Sequence, residues 1–236
     1  MRSLIVIGMF AATLTHAAWN GYTEDRSLEL DTGGVSRLGI DAGAGKLVVS
    51  GVDDESRILV KATIIFPGED EEDAREKIEK HLRLTLDKVH DEARLIADFE
   101  QQFWGWGDSP SVDLDVRVPR GIALSVDDGS GSIEISGLDS DVWIDDGSGS
   151  ISVEQVRSVV IDDGSGSIKV SGIAGDVEIE DGSGSIRVEH VGGGVRIDDG
   201  SGGIDVVDVE SDLVIEDDGS GGLNASDVRG DIINES

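Results

Sequence analysis

One phrase repeats through the C-terminal half of this chain, and its period constrains the fold more tightly than any other feature. The copies are VDDGSGSIEISGLDS from Val126, IDDGSGSISVEQVRS from Ile144, IDDGSGSIKVSGIAG from Ile161, IEDGSGSIRVEHVGG from Ile179, IDDGSGGIDVVDVES from Ile197 and EDDGSGGLNASDVRG from Glu216. The glycine after the acids falls at Gly129, Gly147, Gly164, Gly182, Gly200 and Gly219, in steps of 18, 17, 18, 18 and 19 residues. A fixed period of this length marks stacked units, each too small to bury an apolar face alone.

Within one unit, Ile168-Lys169-Val170 and Val177-Glu178-Ile179 alternate apolar and polar residues. That spacing puts Ile168, Val170, Val177 and Ile179 on one face and Lys169 and Glu178 on the other. Two three-residue strands and two six-residue turns make one lap. The predicted fold is all-β: a parallel β-helix or β-solenoid of about 18-residue, two-strand laps, each strand pairing with its counterpart one lap away. A hexapeptide left-handed helix also uses 18 residues per coil but needs an apolar residue at every sixth position. Counting from Ile168 selects Ala174 and Glu180, so that rival fails.

Upstream, IDAGAGKLVVSGVDD from Ile40 is a degenerate first lap, with Asp41, Gly43, Gly45 and Leu47 in the places of Asp, Gly, Gly and Ile. From about Phe66 to Pro119 the pattern breaks into a small α+β excursion. Glu69 to His81 carries acids first and bases later, as a short helix prefers. LRLTLDKV and ARLIADFE flank HDE and predict a β-hairpin. Trp104 and Trp106 lie in an aromatic-glycine loop that suits a plug over the end of a stack, with an exposed sugar- or partner-binding loop as the alternative. Trp143 is predicted to face outward.

The N-terminus, Arg2 followed by an apolar run from Leu4 to about Leu14 and small residues ending at Ala17-Ala18, has the layout of a secretory signal peptide. The expected organisation is residues 1–17 as signal peptide, 18–118 as first lap with capping excursion, and 119–236 as repeat solenoid. An exported protein is expected, periplasmic or extracellular, with no membrane insertion once the leader is cleaved. The formal net charge of −31 argues against nucleic acid or anionic lipid as a partner, since both demand positive charge. With no cysteine in the chain, stability rests on packing and backbone hydrogen bonds rather than disulfides.

The order of these pieces carries a resemblance. Leader, first G-x-G-x-hydrophobic lap, helix-containing insertion, the lead-in VPRGIALSV (Val118 to Val126), G-S-G-S-I repeats and G-D-V-x-I returns such as Gly175 to Ile179 together resemble the bacterial envelope "putative adhesin" domain of unknown function, related to head domains with a Gly-Ile-Asn signature. The resemblance spans nearly the whole chain after the leader. It implies a β-helix-like fold and an adhesin-like role, and it brings no catalytic residues. The doubled acids depart from that pattern and are particular to this chain.

Glycine suits the turn because a tight reversal needs positive φ and stacked turns leave little room for a Cβ. The acids are less easily explained. Asp127, Asp145, Asp162, Glu180, Asp198 and Asp217 are expected to form one column, with Asp128, Asp146, Asp163, Asp181, Asp199 and Asp218 in a second column beside it. At the ~4.8 Å spacing of stacked strands, neighbouring carboxylates repel by about 1 kcal/mol even in bulk water. Solvent, salt or Ca2+ would have to screen them, and the Ca2+ candidates are Asp145, Asp146, Asp162, Asp163, Asp198 and Asp199. Calcium-binding nonapeptide rolls place Asp after their glycines, whereas here the acids come first. The leading functional reading is a non-enzymatic surface or periplasmic interaction protein whose partner is a protein or glycan of the cell envelope, with no cofactor. A Ca2+-binding acidic solenoid and a carbohydrate-active β-helix enzyme are the alternatives. Against catalysis stand the uniform repetition of the acids and the absence of ligand spacing among His81, His90 and His190.

Overall fold

A computed structural model describes residues 8–9, 21–99 and 109–235. The expected leader and the Trp104/Trp106 loop lie outside the described residues, apart from the two-residue strand β1 (Gly8–Met9), which pairs antiparallel with Ser27 and Arg26. The chain is mostly β, and its described strands join in one mixed sheet.

The excursion and first lap come first in the chain. β2 (Gly21–Asp31) runs antiparallel to β4 (Arg57–Pro67), with β3 (Arg37–Val52) between them in sequence. Helix α1 (Glu71–His81) starts where Asp70 caps it, its carboxylate accepting from the amides of Glu72 and Asp73 at 3.0 Å each. Such a cap satisfies two of the orphan donors of a first turn. Ala74 and Ile78, one turn apart, are its buried residues. β5 (Leu82–Val89) and β6 (Glu92–Phe99) form the hairpin, turning at His90 with φ of 61°.

β7 (Ser111–Pro119) returns antiparallel to β4 and parallel to the second half of β3, while β6 lies parallel to the first half. The other edge of β3 takes β8 (Ala123–Asp146) in parallel, with Ile40 opposite Val126, Asp41 opposite Asp127 and Leu47 opposite Ile133. The degenerate first lap therefore sits in register on the first repeat, and the excursion covers its far side.

The repeats follow as β9 (Gly149–Asp163), β10 (Gly166–Ile173), β11 (Val177–Asp181), β12 (Gly184–Val191), β13 (Val195–Asp199), β14 (Gly202–Val209), β15 (Leu213–Asp217), β16 (Gly222–Val228) and β17 (Ile232–Asn234). Two parallel ladders run through them. In one, Ile151, Ile168, Ile186 and Ile204 succeed one another; in the other, Val159, Val177, Val195 and Leu213 do. Side chains of both ladders belong to the same buried core.

The lap differs from the predicted two short strands and two long turns. From Gly166 it runs as an eight-residue strand, a three-residue corner, a five-residue strand and a two-residue corner. Pairing persists through the turn region because each of the six repeats bends at the same residue. Gly137, Gln155, Gly172, His190, Asp208 and Asp227 all have φ between 55° and 73°. A single positive φ shifts the in-out alternation by one residue. A third buried column results, formed by Leu138, Val156, Ile173, Val191 and Val209.

Candidate functional site

The acid pairs end one strand of each lap and open the glycine corner. The structure corrects the expectation of two acidic columns side by side: they lie on opposite faces of the strand. Extended backbone sends consecutive side chains to opposite faces, so Ile144 points in, Asp145 out and Asp146 in again. Asp145 and Asp162 are exposed and Asp198 half-buried, while Asp146, Asp163 and Asp199 are 2%, 2% and 0% exposed. The six Ca2+ candidates thus divide between solvent and core and do not converge on one ion. Among the described residues, no group of three or more His, Asp or Glu side chains is arranged to hold a metal.

The outer column runs Asp41–Asp127 and Asp145–Asp162–Glu180–Asp198 in direct register, and a one-residue bulge at Glu216 then sets Asp217 opposite Asp198. Basic side chains on these faces are engaged elsewhere: Arg157 with Asp141, Arg187 with Glu189 and Asp205, and Arg196 with Glu216. Partial burial, then the neighbouring Asp162 and Asp127, pushes Asp145 above the ordinary carboxylate range.

The inner column, Asp128, Asp146, Asp163, Asp181 and Asp199, is a different environment. One oxygen of each of the last four accepts a backbone amide two residues on: Ser148 at 3.2 Å, Ser165 at 3.1 Å, Ser183 and Ser201 at 3.0 Å. This is the Asx-turn use of aspartate. The other oxygen, Oδ2, is sealed from solvent in all five with no donor in reach. Burial, followed by the Asp146 charge, pushes Asp128 up to about 7. Burial and then neighbouring carboxylates likewise push Asp146 up to about 6. Asp181 also rises to about 6, chiefly through burial. Burial raises Asp163 and Asp199 as well. The repeat places these acids in a column but does not announce its burial, because the predicted strand ends at the isoleucine. Carrying the alternation two residues further would have found it.

Around the acids the backbone is laddered lap to lap. The amide of Gly164 donates to Asp146 O at 2.9 Å, and that of Gly166 to Ser183 O at 2.9 Å. A cleft of about 450 Å3 lies where the first lap, the hairpin and β8 meet, lined in part by Asp41, Asp98, Phe99, Asp127 and Ser130. His190 sits exposed at the bend, its Nε2 4.0 Å from Asp208 Oδ2. His81 ends α1 and His90 turns the hairpin, so the three histidines occupy separate elements. Trp143 is 41% exposed beside Val160 at 39%, an apolar pair on the outer face.

No family model matches the chain, and no curated protein matches it. Among solved structures it is similar to one described as a "putative cell adhesion protein" from Clostridium sporogenes ATCC 15579. The identity is 11%, the match covers 90% of this chain and 99% of that one, and the TM-score is 0.36. Among the described residues, no helix is long and apolar enough to cross a membrane.

Proposed function

We propose that the two parallel ladders wind as a β-solenoid, and that the chain is an exported, non-enzymatic, adhesin-like protein that presents this rod as an interaction surface in the cell envelope. The observation that carries the reading is the outer acid column: seven carboxylates repeat at strand spacing on a face whose nearby arginines are engaged elsewhere. Such a column, set on a laddered backbone, offers a rigid periodic array of acceptors. Rigidity matters because a preformed array loses little side-chain and loop entropy on binding. Basic groups of an envelope protein, or the hydroxyls and amines of a glycan, are the chemistry it would engage. The resemblance to envelope adhesin domains points the same way.

Labelled protein titrated onto isolated bacterial envelopes tests this. Saturable binding, displaced by unlabelled protein and weakened at least tenfold in an Asp145→Asn/Asp162→Asn/Asp198→Asn variant, is the expected result. Non-saturable binding, or equal binding by the variant, removes the interaction reading. Release of oligosaccharides from an envelope glycan panel overturns its non-enzymatic part.

A further inference from the structure

Each inner aspartate faces its neighbours one lap away. Asp146 is opposite Asp163, Asp163 opposite Asp181, and Asp181 opposite Asp199. Their Oδ2 atoms are buried and without a donor. The groups that act on the column are backbone amides (Gly129, Gly147, Ser148, Ser165, Ser183, Ser201) and other carboxylates. Those carboxylates are Asp127, Asp145, Asp162 and Asp198 from the outer column, with Asp217 and Asp218 at the C-terminal end. Inward side chains on the strands that follow each glycine corner, Ile151, Ile168, Ile186 and Ile204, are apolar. Among the described residues, no cation acts on the buried charge. An ionised, unpaired carboxylate in such a place carries a penalty that drives it to neutralise.

We propose that Asp128, Asp146, Asp163, Asp181 and Asp199 form a proton-binding ladder, in which neighbouring carboxyl groups share protons through Oδ2–H···Oδ hydrogen bonds along the stack. Each proton comes from solvent, forms an O–H bond on one carboxyl, and is held by a lone pair of the next. Proton uptake removes one negative charge per site and supplies the donor that each Oδ2 lacks. A column of asparagines would make the same lap-to-lap bonds at every pH. Aspartate makes them depend on acidity.

The sign follows from the direction of the shifts. The folded chain binds these protons more tightly than the unfolded chain, whose aspartates sit near the ordinary 3.8. The stabilisation is therefore fully present below about pH 4 and is lost as pH rises through about 6 to 7. An aspartate held by a cation behaves the opposite way. Asp141 is one: its hydrogen bond from Arg157 keeps it below the usual range, so it is ionised in that window.

Infrared spectroscopy of the full chain across a pH titration reads the ladder directly, through the C=O stretch of protonated carboxyls. The expected result is such a band near pH 6, fading by about pH 9, together with a melting temperature that falls across the same range. Asp146→Asn/Asp163→Asn/Asp181→Asn should lose more than half of the band and flatten the melting profile. If the triple variant does not fold, Asp146→Asn alone should measurably reduce the band, since Asp146 is pushed up to about 6. A wild-type protein with no protonated-carboxyl band near pH 6 overturns the proposal. So does a band unchanged in a folded variant. Ca2+ raising the melting temperature of metal-free wild type near pH 8, beyond an ionic-strength control, would make the column a cation site instead.

Discussion

Two adjacent glycines at the start of β14 should respond to substitution very differently. Gly202 stacks directly on Gly184, and a Cβ built on Gly202 would lie 1.6 Å from the Gly184 carbonyl oxygen and 2.7 Å from its carbon. Real Cβ atoms essentially never come within 3.0 Å of such a neighbour, so Gly202→Ala forces the laps apart locally by about 1.4 Å, the difference between 3.0 and 1.6 Å. The contact is backbone on backbone, and no side chain can rotate away. Two ladder bonds span this gap, from the Gly184 amide to Ser201 O at 2.9 Å and from the Gly200 amide to Asp181 O at 2.8 Å. A movement of that size takes both beyond hydrogen-bonding range. At about 1 kcal/mol net for each bond, plus loosened packing of Ile204 and Val206, the loss is about 2–4 kcal/mol.

Gly203, by contrast, meets nothing nearer than Gly222 O at 4.0 Å. Its counterpart one lap back is Ser185, so Gly203→Ser should fall within about 0.5 kcal/mol of wild type. Urea unfolding followed by far-UV circular dichroism, at fixed pH and salt, measures both. In a stack held by nearest-neighbour interfaces the Gly202 defect uncouples the laps beyond it, and an early minor transition is the expected sign. Equal stability of the two variants would refute close backbone stacking at the corner.

The other predictions concern facing and strain. Val177→Asp places a charge in the core where the native residue is 1% exposed, and should cost more than ~3 kcal/mol in equilibrium denaturation, whereas exposed Lys169→Gln should cost under ~0.5 kcal/mol. Similar effects from both would contradict the inward assignment of β11. Gln155 holds φ of 55° where neighbouring laps use Gly137 and Gly172 at 73° and 68°. Gln155→Gly relieves a left-handed conformation that costs about 1 kcal/mol, so thermal melting should rise by a few degrees. An unchanged or lower melting temperature would show that the bend stores no strain there.

Some of this architecture can be read directly from the residues. Alternation at Ile168/Val170 and Val177/Ile179 identifies inward positions because side-chain direction in extended backbone is a local property. The first lap at Ile40 is visible for the same reason, through its G-x-G-x-Leu spacing, although more than 70 residues separate it from the repeat it stacks on. The third buried column was harder. Val170 and Ile173 both point inward three residues apart, and a period-two reading stops at Val170. What breaks the period is the positive φ at Gly172, and Gln155, His190 and Asp208 adopt it at the same place with no glycine to announce it. The recurrence of Val156, Ile173, Val191 and Val209 at lap spacing was the available signal.

The acids show where local rules stop. That Asp145 and Asp146 face opposite ways follows from backbone geometry. That Asp146 is buried, lacks a donor for Oδ2 and is pushed up to about 6 does not. Those properties come from the laps above and below, which exclude water and bring Asp163 alongside. The chain by itself determined the period, the two alternating inward columns and the place of the glycine corner, because each depends on a few consecutive residues. Tertiary stacking decided which carboxylates meet solvent and which meet one another, because burial and charge coupling arise only between laps.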